Sequence, residues 1–164
     1  MTIENQSTSE QLQSLPESSK ARILIVDDDF EIGESMRYAL EANGYEVMIA
    51  RDGNQGLALV EKHVPNLLVL DMMMPKRSGF LVLEQLRRQG NDSIKVIMVT
   101  ANEGNRHKAY AELLGVNDYI RKPFAMDRLI DSVRNLLAGG KAAGESDPIC
   151  QSLPIENPDG QDED

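Results

Sequence analysis

The sequence has 164 residues with 17 basic and 27 acidic side chains, so its formal net charge is −10. At 41% hydrophobic residues it can form one core, and no apolar run approaches the roughly 18 to 20 residues of a membrane helix. We expect one domain, in the cytosol and not inserted in a membrane. The single cysteine, Cys150, excludes an internal disulfide and a cysteine-based metal cluster, and the acidic balance argues against direct nucleic acid binding.

The negative charge is concentrated at the two ends of the chain. Residues 1–20 carry three acids and one lysine, and residues 139–164 carry seven acids and one lysine. Residues 21–138 therefore carry only −2. Both ends lack hydrophobic periodicity and are rich in polar residues, glycine or proline, a composition typical of disorder. We predict a globular domain over 21–138 between a disordered N-terminal segment (1–20) and a disordered acidic tail (139–164).

Short apolar runs alternate five times with amphipathic segments in the central region. The predicted strands are Ile23 to Val26, Val47 to Ala50, Leu67 to Leu70, Val96 to Val99 and Asp118 to Ile120. Most of them are almost continuously apolar, as expected of parallel strands buried on both faces. A (βα)5 alternation of this length predicts a flavodoxin-like three-layer sandwich, with helices on both faces of a parallel sheet ordered 2-1-3-4-5.

The sequence signals for the ends and buried faces of the helices vary in strength from one helix to another. Asp52 and Ser78 are candidate N-caps, and Asn43-Gly44 and Gly115 are helix stops. The last helix has the clearest apolar stripe, formed by Met126, Leu129, Ile130, Val133, Leu136 and Leu137. The fourth, from about residue 103 to 114, is the weakest, and we expect Ala109, Leu113 and Leu114 to form its buried side.

Polar residues follow four strands that the predicted order makes neighbours. Asp27-Asp28 follows the first strand, Asp71 the third, Thr100 the fourth and Lys122-Pro123 the fifth. Three clustered carboxylates repel one another by about 4 kcal/mol per close pair at an effective dielectric of 20, which a divalent cation would relieve. Oxygen ligands without histidine or cysteine suit Mg²⁺. One carboxylate could then act as a nucleophile toward phosphorus, with Lys122 and the metal neutralising the phosphoryl charge and Thr100 donating to a phosphoryl oxygen.

Four strings in this order resemble the receiver domain of bacterial two-component response regulators over all of residues 21–138. They are ILIVDDD (23–29), LLVLDMMMPKRSG (67–79), VIMVTA (96–101) and GVNDYIRKPF (115–124). The resemblance implies that Asp71 is the phosphoacceptor. It implies that Mg²⁺ is held by the acidic pair Asp27 and Asp28, by Asp71 and by the backbone carbonyl of Met73.

The resemblance also implies roles for residues around that site. Thr100 matches the switch hydroxyl, Ala101 a small residue that leaves the site open, Tyr119 the switch aromatic and Lys122 the phosphate-binding lysine. The Lys122-Pro123 bond matches one that is usually cis in the family, and Pro75 and Gly79 match the loop after the acceptor. Met73 and Asn102 match positions that tune the lifetime of the phosphoryl group.

The implied function is a stand-alone phosphorylatable switch with self-catalysed chemistry only, and so not a conventional enzyme. Its phosphodonor is a sensor histidine kinase or a histidine phosphotransfer protein. Its output is a changed affinity for a target protein through the face formed by the fourth helix, fifth strand and fifth helix, and phosphorylation could drive dimerisation. We expect no direct nucleic acid contact, since no helix-turn-helix or basic patch follows residue 138.

The same residues are compatible with three alternative interpretations. Asp27 to Asp29 could by itself be the solvated N-terminus of a helix. The fold could serve as a binding module without phosphorylation, although the complete acidic set argues against this. A phosphatase of the haloacid dehalogenase type also uses an aspartyl phosphate, but those enzymes resemble one another in having a second aspartate two residues after the nucleophile. Here that residue is Met73, which cannot transfer a proton.

Overall fold

The fold is described by a computed structural model that covers residues 19–101 and 104–140. The five strands are β1 (Arg22–Val26), β2 (Glu46–Ala50), β3 (Leu67–Asp71), β4 (Lys95–Thr100) and β5 (Asp118–Arg121). The five helices are α1 (Phe30–Ala42), α2 (Gly53–His63), α3 (Gly79–Arg88), α4 (Asn105–Leu113) and α5 (Met126–Leu137). Apart from residues 19, 20, 139 and 140, the two ends predicted to be disordered lie outside the described residues.

The strands form one parallel sheet in the order β2-β1-β3-β4-β5, as predicted. Alternate side chains of each strand enter different cores. Leu24 and Val26 pack on the face covered by α2 and α3, and Ile23 and Ile25 pack on the face covered by α1 and α5. Because the central strands are buried on both faces, their almost continuous apolar sequence was required. None of the described helices is long and apolar enough to cross a bilayer.

The structure confirms the positions of the predicted helix caps and stops, but only one of the two predicted N-cap side chains makes a capping hydrogen bond. Asp52 caps α2, accepting a hydrogen bond from the backbone N–H of Gln55 at 2.9 Å. Ser78 occupies the N-cap position of α3, but its side chain makes no capping hydrogen bond. Gly44 and Gly115 follow α1 and α4 with φ of 91° and 76°, the left-handed conformation that ends a helix.

The predicted buried side of α4 is wrong for Ala109 and Leu113, whereas Leu114 packs against the core as predicted. Of the residues in this helix, all of them described, only Ala111 is buried, whereas Leu113 is 84% exposed and Ala109 is exposed. Leu114, just past the end, is half-buried. Ala111 and Leu114 face the core. They are three residues apart and therefore lie on one side of the helix. In contrast, the predicted stripe of α5 is confirmed, with Leu129, Val133 and Leu136 buried.

Candidate functional site

The carboxyl ends of four neighbouring strands bring the predicted polar residues together. Asp27 directly follows β1, Asp71 is the last residue of β3, Thr100 is the last residue of β4, and Lys122 follows β5. The order β1-β3-β4-β5 places all four at one edge of the sheet. This is where open α/β sheets position their ligand sites.

Three carboxylates form an acidic pocket at this edge. One oxygen from each of Asp27, Asp28 and Asp71 lies within 4.8 Å of the other two. Asp27 and Asp71 are 1% and 5% exposed, while Asp28 is exposed to solvent. Hard oxygen donors with one open side fit Mg²⁺, which takes one or two carboxylates and retains several waters. The donor set therefore fits the predicted metal.

Lys122 supplies the positive charge of the pocket. Its ammonium Nζ lies 2.9 Å from Asp27 Oδ2 and 3.6 Å from Asp71 Oδ2, and its side chain is 15% exposed. Burial by itself would lower the pKa of Lys122, but the hydrogen bond to Asp27 and the charges of both carboxylates outweigh it and raise the pKa. Its backbone N–H donates to the Thr100 carbonyl at 2.8 Å, and the Lys122–Pro123 bond is cis.

The carboxyl group of Asp71 has a raised pKa. Burial raises the pKa of its carboxyl to about 6; the charge of Lys122 opposes this rise, and the charges of Asp27 and Asp28 add to it. The backbone N–H of Met73 donates to Asp71 Oδ1 at 3.1 Å, while Oδ2 faces Lys122. The carboxylate is therefore held at both oxygens between a backbone donor and an ammonium group.

Gly79 is packed against the backbone of Asp71. A Cβ atom at this position would lie 2.3 Å from the Asp71 carbonyl oxygen and 2.9 Å from Met72 Cα. The Gly79 N–H donates to the Met72 carbonyl at 3.0 Å and closes the loop after β3. The resemblance matched Gly79 to this loop. That the Asp71 backbone leaves no space for a side chain at Gly79 depends on the fold and cannot be inferred from the sequence.

Asp29 has a role that the acidic triplet left open. Its side chain caps α1 by accepting from the Ile32 N–H at 3.1 Å, and its own N–H donates to Asp27 Oδ1 at 2.9 Å. The helix N-terminus interpretation of the triplet is therefore correct for Asp29, while Asp27 and Asp28 face the pocket. The third aspartate also orients the first.

Arg51 is a neighbour of the site that sequence reasoning missed. Its guanidinium lies 4.5 Å from the centroid of the Phe30 ring, and Nη2 lies 3.0 Å from Glu34 Oε1. Nη1 also donates to the Asp29 carbonyl at 3.4 Å. Arg51 thus lies across the first turn of α1. No sequence pattern connects it to residues about twenty positions earlier.

The predicted switch residues lie beside the pocket. Thr100 is fully buried. Tyr119 is half-buried against the core on the α2–α3 face, and its hydroxyl is buried without a well-formed hydrogen bond to any described residue. Burial raises the pKa of the Tyr119 hydroxyl, and a hydrogen-bonding interaction with Thr100 partly opposes the rise.

The remaining predicted residues are more exposed or not described. Ala101 is exposed at the mouth of the site, and Met73 is 60% exposed although Met72 and Met74 beside it are buried. Asn102 lies outside the described residues. A cleft of about 520 Å³ adjoins the pocket, lined by Glu31, Ile32, Ser35, Ala101, Lys122, Pro123, Phe124 and Met126.

The raised pKa of Asp71 predicts how metal-free stability depends on pH. A carboxyl whose folded pKa is about 6, above its usual 3.8, binds its proton more tightly in the folded state. Its contribution to stability should therefore fall as pH rises from about 4 to 6. In EDTA, Asp71→Asn should be more stable than wild type at pH 7.5, by up to about 3 kcal/mol for a shift of about two units. Thermal unfolding of both proteins measures the difference, which should nearly vanish at pH 4; a constant difference would contradict the prediction.

Comparison with known protein sequences identifies relatives over the same region. A family model described as the response regulator receiver domain matches residues 23–134. The response regulator MprA of Mycobacterium leprae is 38% identical over 132 residues, covering 80% of this chain and 58% of that protein. MprA of Mycolicibacterium vanbaalenii is 40% identical over 128 residues, covering 76% and 55%. The chain thus spans little more than half the length of these curated relatives.

Solved structures show the same architecture. A CheY-like response regulator receiver domain protein from Methanospirillum hungatei has a TM-score of 0.70 and 35% identity, covering 74% of this chain and 96% of that one. The receiver domain of the Francisella response regulator 1452 also has a TM-score of 0.70, with 32% identity and coverages of 73% and 98%. With the sheet order and the family match, they show that the chain belongs to the receiver domain family of two-component response regulators.

Proposed function

We propose that the receiver unit, residues 21–138, is a phosphorylatable signalling switch whose phosphoacceptor is Asp71. A sensor histidine kinase or a histidine phosphotransfer protein supplies the phosphoryl group. The observation that carries the proposal is the Asp71 carboxylate, held between the Met73 N–H and the Lys122 ammonium within a cluster of three carboxylates. An isolated surface aspartate would have neither the oriented donors nor the adjacent cation.

The proposed chemistry is a single phosphoryl transfer. A carboxylate oxygen of Asp71 attacks the phosphorus of a phosphohistidine, and the phosphorus–nitrogen bond breaks with its electron pair remaining on the donor imidazole. Lys122 neutralises negative charge on the transferring group. Mg²⁺, when bound, would neutralise further phosphoryl charge, and its ligands would be Asp27, Asp28, Asp71 and the Met73 carbonyl. Hydrolysis of the acyl phosphate resets the switch, with Met73 and Asn102 tuning its lifetime.

Phosphorylation would act on the output face through Thr100 and Tyr119. The phosphoryl group adds about two negative charges beside the buried Thr100 hydroxyl. If Thr100 moves toward it, the half-buried Tyr119 ring gains room to reorient. The face formed by α4, β5 and α5 would change in shape and alter affinity for a target protein. A shift from 1:99 to 99:1 requires about 5.5 kcal/mol of differential stabilisation.

Predictions about assembly, location and nucleic acid binding accompany this proposal. They are a phosphorylation-dependent dimer, a cytoplasmic setting and no direct contact of these 164 residues with nucleic acid. Because the chain spans about half of its curated relatives, the activity of a whole protein containing it is likewise a proposal. The proposed function of Asp71 does not depend on any of them.

Labelling with acetyl phosphate tests the phosphoacceptor directly. Wild-type protein with Mg²⁺ should gain one phosphoryl group, detected by intact mass, and EDTA or Asp71→Asn should remove the gain. Asp131→Asn is a matched control, since this exposed carboxylate of α5 pairs only with Arg134 among the described contacts. Labelling that survives in Asp71→Asn would overturn the assignment. Sustained turnover of phosphate esters would instead indicate a phosphatase.

A further inference from the structure

Helix α4 has little apolar packing to hold it in place. Ala111 is its one buried residue, and most of the helix surface is exposed. By contrast, α3 buries Val82, Leu83 and Leu86 in the core. Burying an aliphatic side chain contributes about 1.5 to 3 kcal/mol, so α3 is fixed to the sheet in a way that α4 is not. Something other than core packing must define the position of α4.

Arg87 of α3 holds the C-terminal end of α4. Its Nε donates to the Leu114 carbonyl at 3.2 Å, and its Nη2 donates to the Gly115 carbonyl at 2.9 Å. Its Nη1 donates to the carbonyls of Asn91 and Ile94 at 2.8 and 3.3 Å, in the segment after α3. One guanidinium thus joins the terminus of α4 to the fixed end of α3. Leu114 and Gly115 directly follow α4, at a helix C-terminus whose carbonyls lack partners within the helix.

A second attachment joins the middle of the two helices. The Tyr110 hydroxyl of α4 donates to the Glu84 carboxylate of α3. The Phe80 ring lies 5.3 Å from the Tyr110 ring, edge to face, and 5.9 Å from the His107 ring, stacked. Three of the four Arg87 bonds are partly buried, whereas this attachment is at the surface, where Tyr110 is 41% exposed. Water can replace its hydrogen bond at low cost.

The opposite end of α4 follows the site residue Thr100 closely in the sequence. The helix begins at Asn105, five residues after Thr100. Along the chain, Thr100 is therefore closer to the N-terminal end of α4, whereas Arg87 holds the C-terminal end. The side-chain contact of Tyr110 with Glu84 lies between them.

We propose that Arg87 is the pivot of α4 and that the Tyr110–Glu84 hydrogen bond is a latch that favours the unphosphorylated position of the helix. This regulation rests on the proposed function of Asp71. The latch must open when α4 moves, whereas the Arg87 bonds persist in both states. Opening the latch then costs part of the free energy that phosphorylation supplies.

Amide hydrogen exchange of metal-free, unphosphorylated protein tests the latch independently of Asp71 chemistry. Tyr110→Phe keeps the ring packed on Phe80 but removes the hydroxyl, and it should speed exchange in α4 by about two- to tenfold, the effect of losing one hydrogen bond of ordinary net strength. Tyr38→Phe, which removes a hydroxyl from a 78% exposed tyrosine of α1, should leave α4 unchanged. Equal exchange in wild type and Tyr110→Phe would overturn the latch.

Beryllofluoride with Mg²⁺, a mimic of an aspartyl phosphate, tests the link to switching. Tyr110→Phe should bind it about two- to tenfold more tightly, as measured by fluorine NMR. The reason is that the unphosphorylated position of α4 loses the Tyr110–Glu84 hydrogen bond that stabilises it. Glu84→Ala should give the same gain, and the double variant no further one. Arg87→Gln should lower stability without tightening binding. Tightening by Arg87→Gln, or none by Tyr110→Phe, would overturn the proposal, whereas absence of binding to wild type would instead count against Asp71 as phosphoacceptor.

Discussion

Replacing Gly79 by alanine should lower the stability of the domain by at least about 2 kcal/mol and reduce phosphorylation of Asp71 by more than about tenfold. The added Cβ would lie 2.3 Å from the Asp71 carbonyl oxygen, a separation that only backbone movement can relieve. Since that movement displaces the residue that carries the carboxylate, both the Met73 hydrogen bond and the approach of Lys122 should suffer. Urea unfolding and acetyl phosphate labelling measure the two effects.

A control of similar instability separates the loss of fold from the loss of the site. Leu86→Ala empties a fully buried position in the same helix and should cost about 2 to 5 kcal/mol. Labelled at a temperature where both proteins remain folded, Leu86→Ala should retain nearly normal phosphorylation and Gly79→Ala should not. Normal labelling of Gly79→Ala would show that the loop relaxes without moving Asp71.

Replacing Lys122 by methionine should separate metal binding from phosphorylation. Without the ammonium, two buried carboxylates lose their counter-charge, and breaking a buried pair in this way costs about 3 to 5 kcal/mol. Phosphorylation should fall by about 100-fold or more, because the cation that we propose neutralises the phosphoryl group is removed. Mg²⁺ should bind more tightly, since Lys122 no longer competes for Asp27 and Asp71.

Thermal unfolding with and without Mg²⁺ checks this prediction together with labelling. The stability deficit of Lys122→Met should be large in EDTA and should shrink as Mg²⁺ is added, because a ligand of the folded state stabilises by mass action. Lys62→Met is a matched control, since Lys62 is an exposed lysine in the last turn of α2. A deficit unaffected by Mg²⁺ would place the effect of Lys122 outside the acidic pocket.

The sheet and the composition of the pocket were predictable because both depend on local patterns. An almost continuous apolar strand such as Leu67 to Leu70 must be buried on both faces, and a parallel sheet brings strand ends to one edge. Once the strand order was chosen, Asp27, Asp71 and Lys122 had to meet. The predicted limits of the strands differ from the observed ones by one residue at most.

Contacts that depend on side-chain volume or helix rotation were not predictable in this way. The buried side of α4 was predicted incorrectly for Ala109 and Leu113, because a helix with so few apolar residues has no strong stripe to define its buried face. The guanidinium bonds of Arg87 reach carbonyls 27 and 28 residues away, and no local signal indicates them. Ser78 was identified at the correct position, but whether its hydroxyl caps α3 depends on a rotamer.

The sequence by itself thus determined which residues form the pocket, through the identity of the residue that ends each strand. It also located the acidic residues of the pocket, which are three aspartates in a region whose own net charge is only −2. Only the tertiary structure decided how those residues are held: Asp71 between a backbone N–H and Lys122, Gly79 against its carbonyl, and α4 attached through α3. The physical reason is that strand periodicity is encoded along the chain, whereas packing distances and hydrogen bonds between distant residues exist only after the layers assemble.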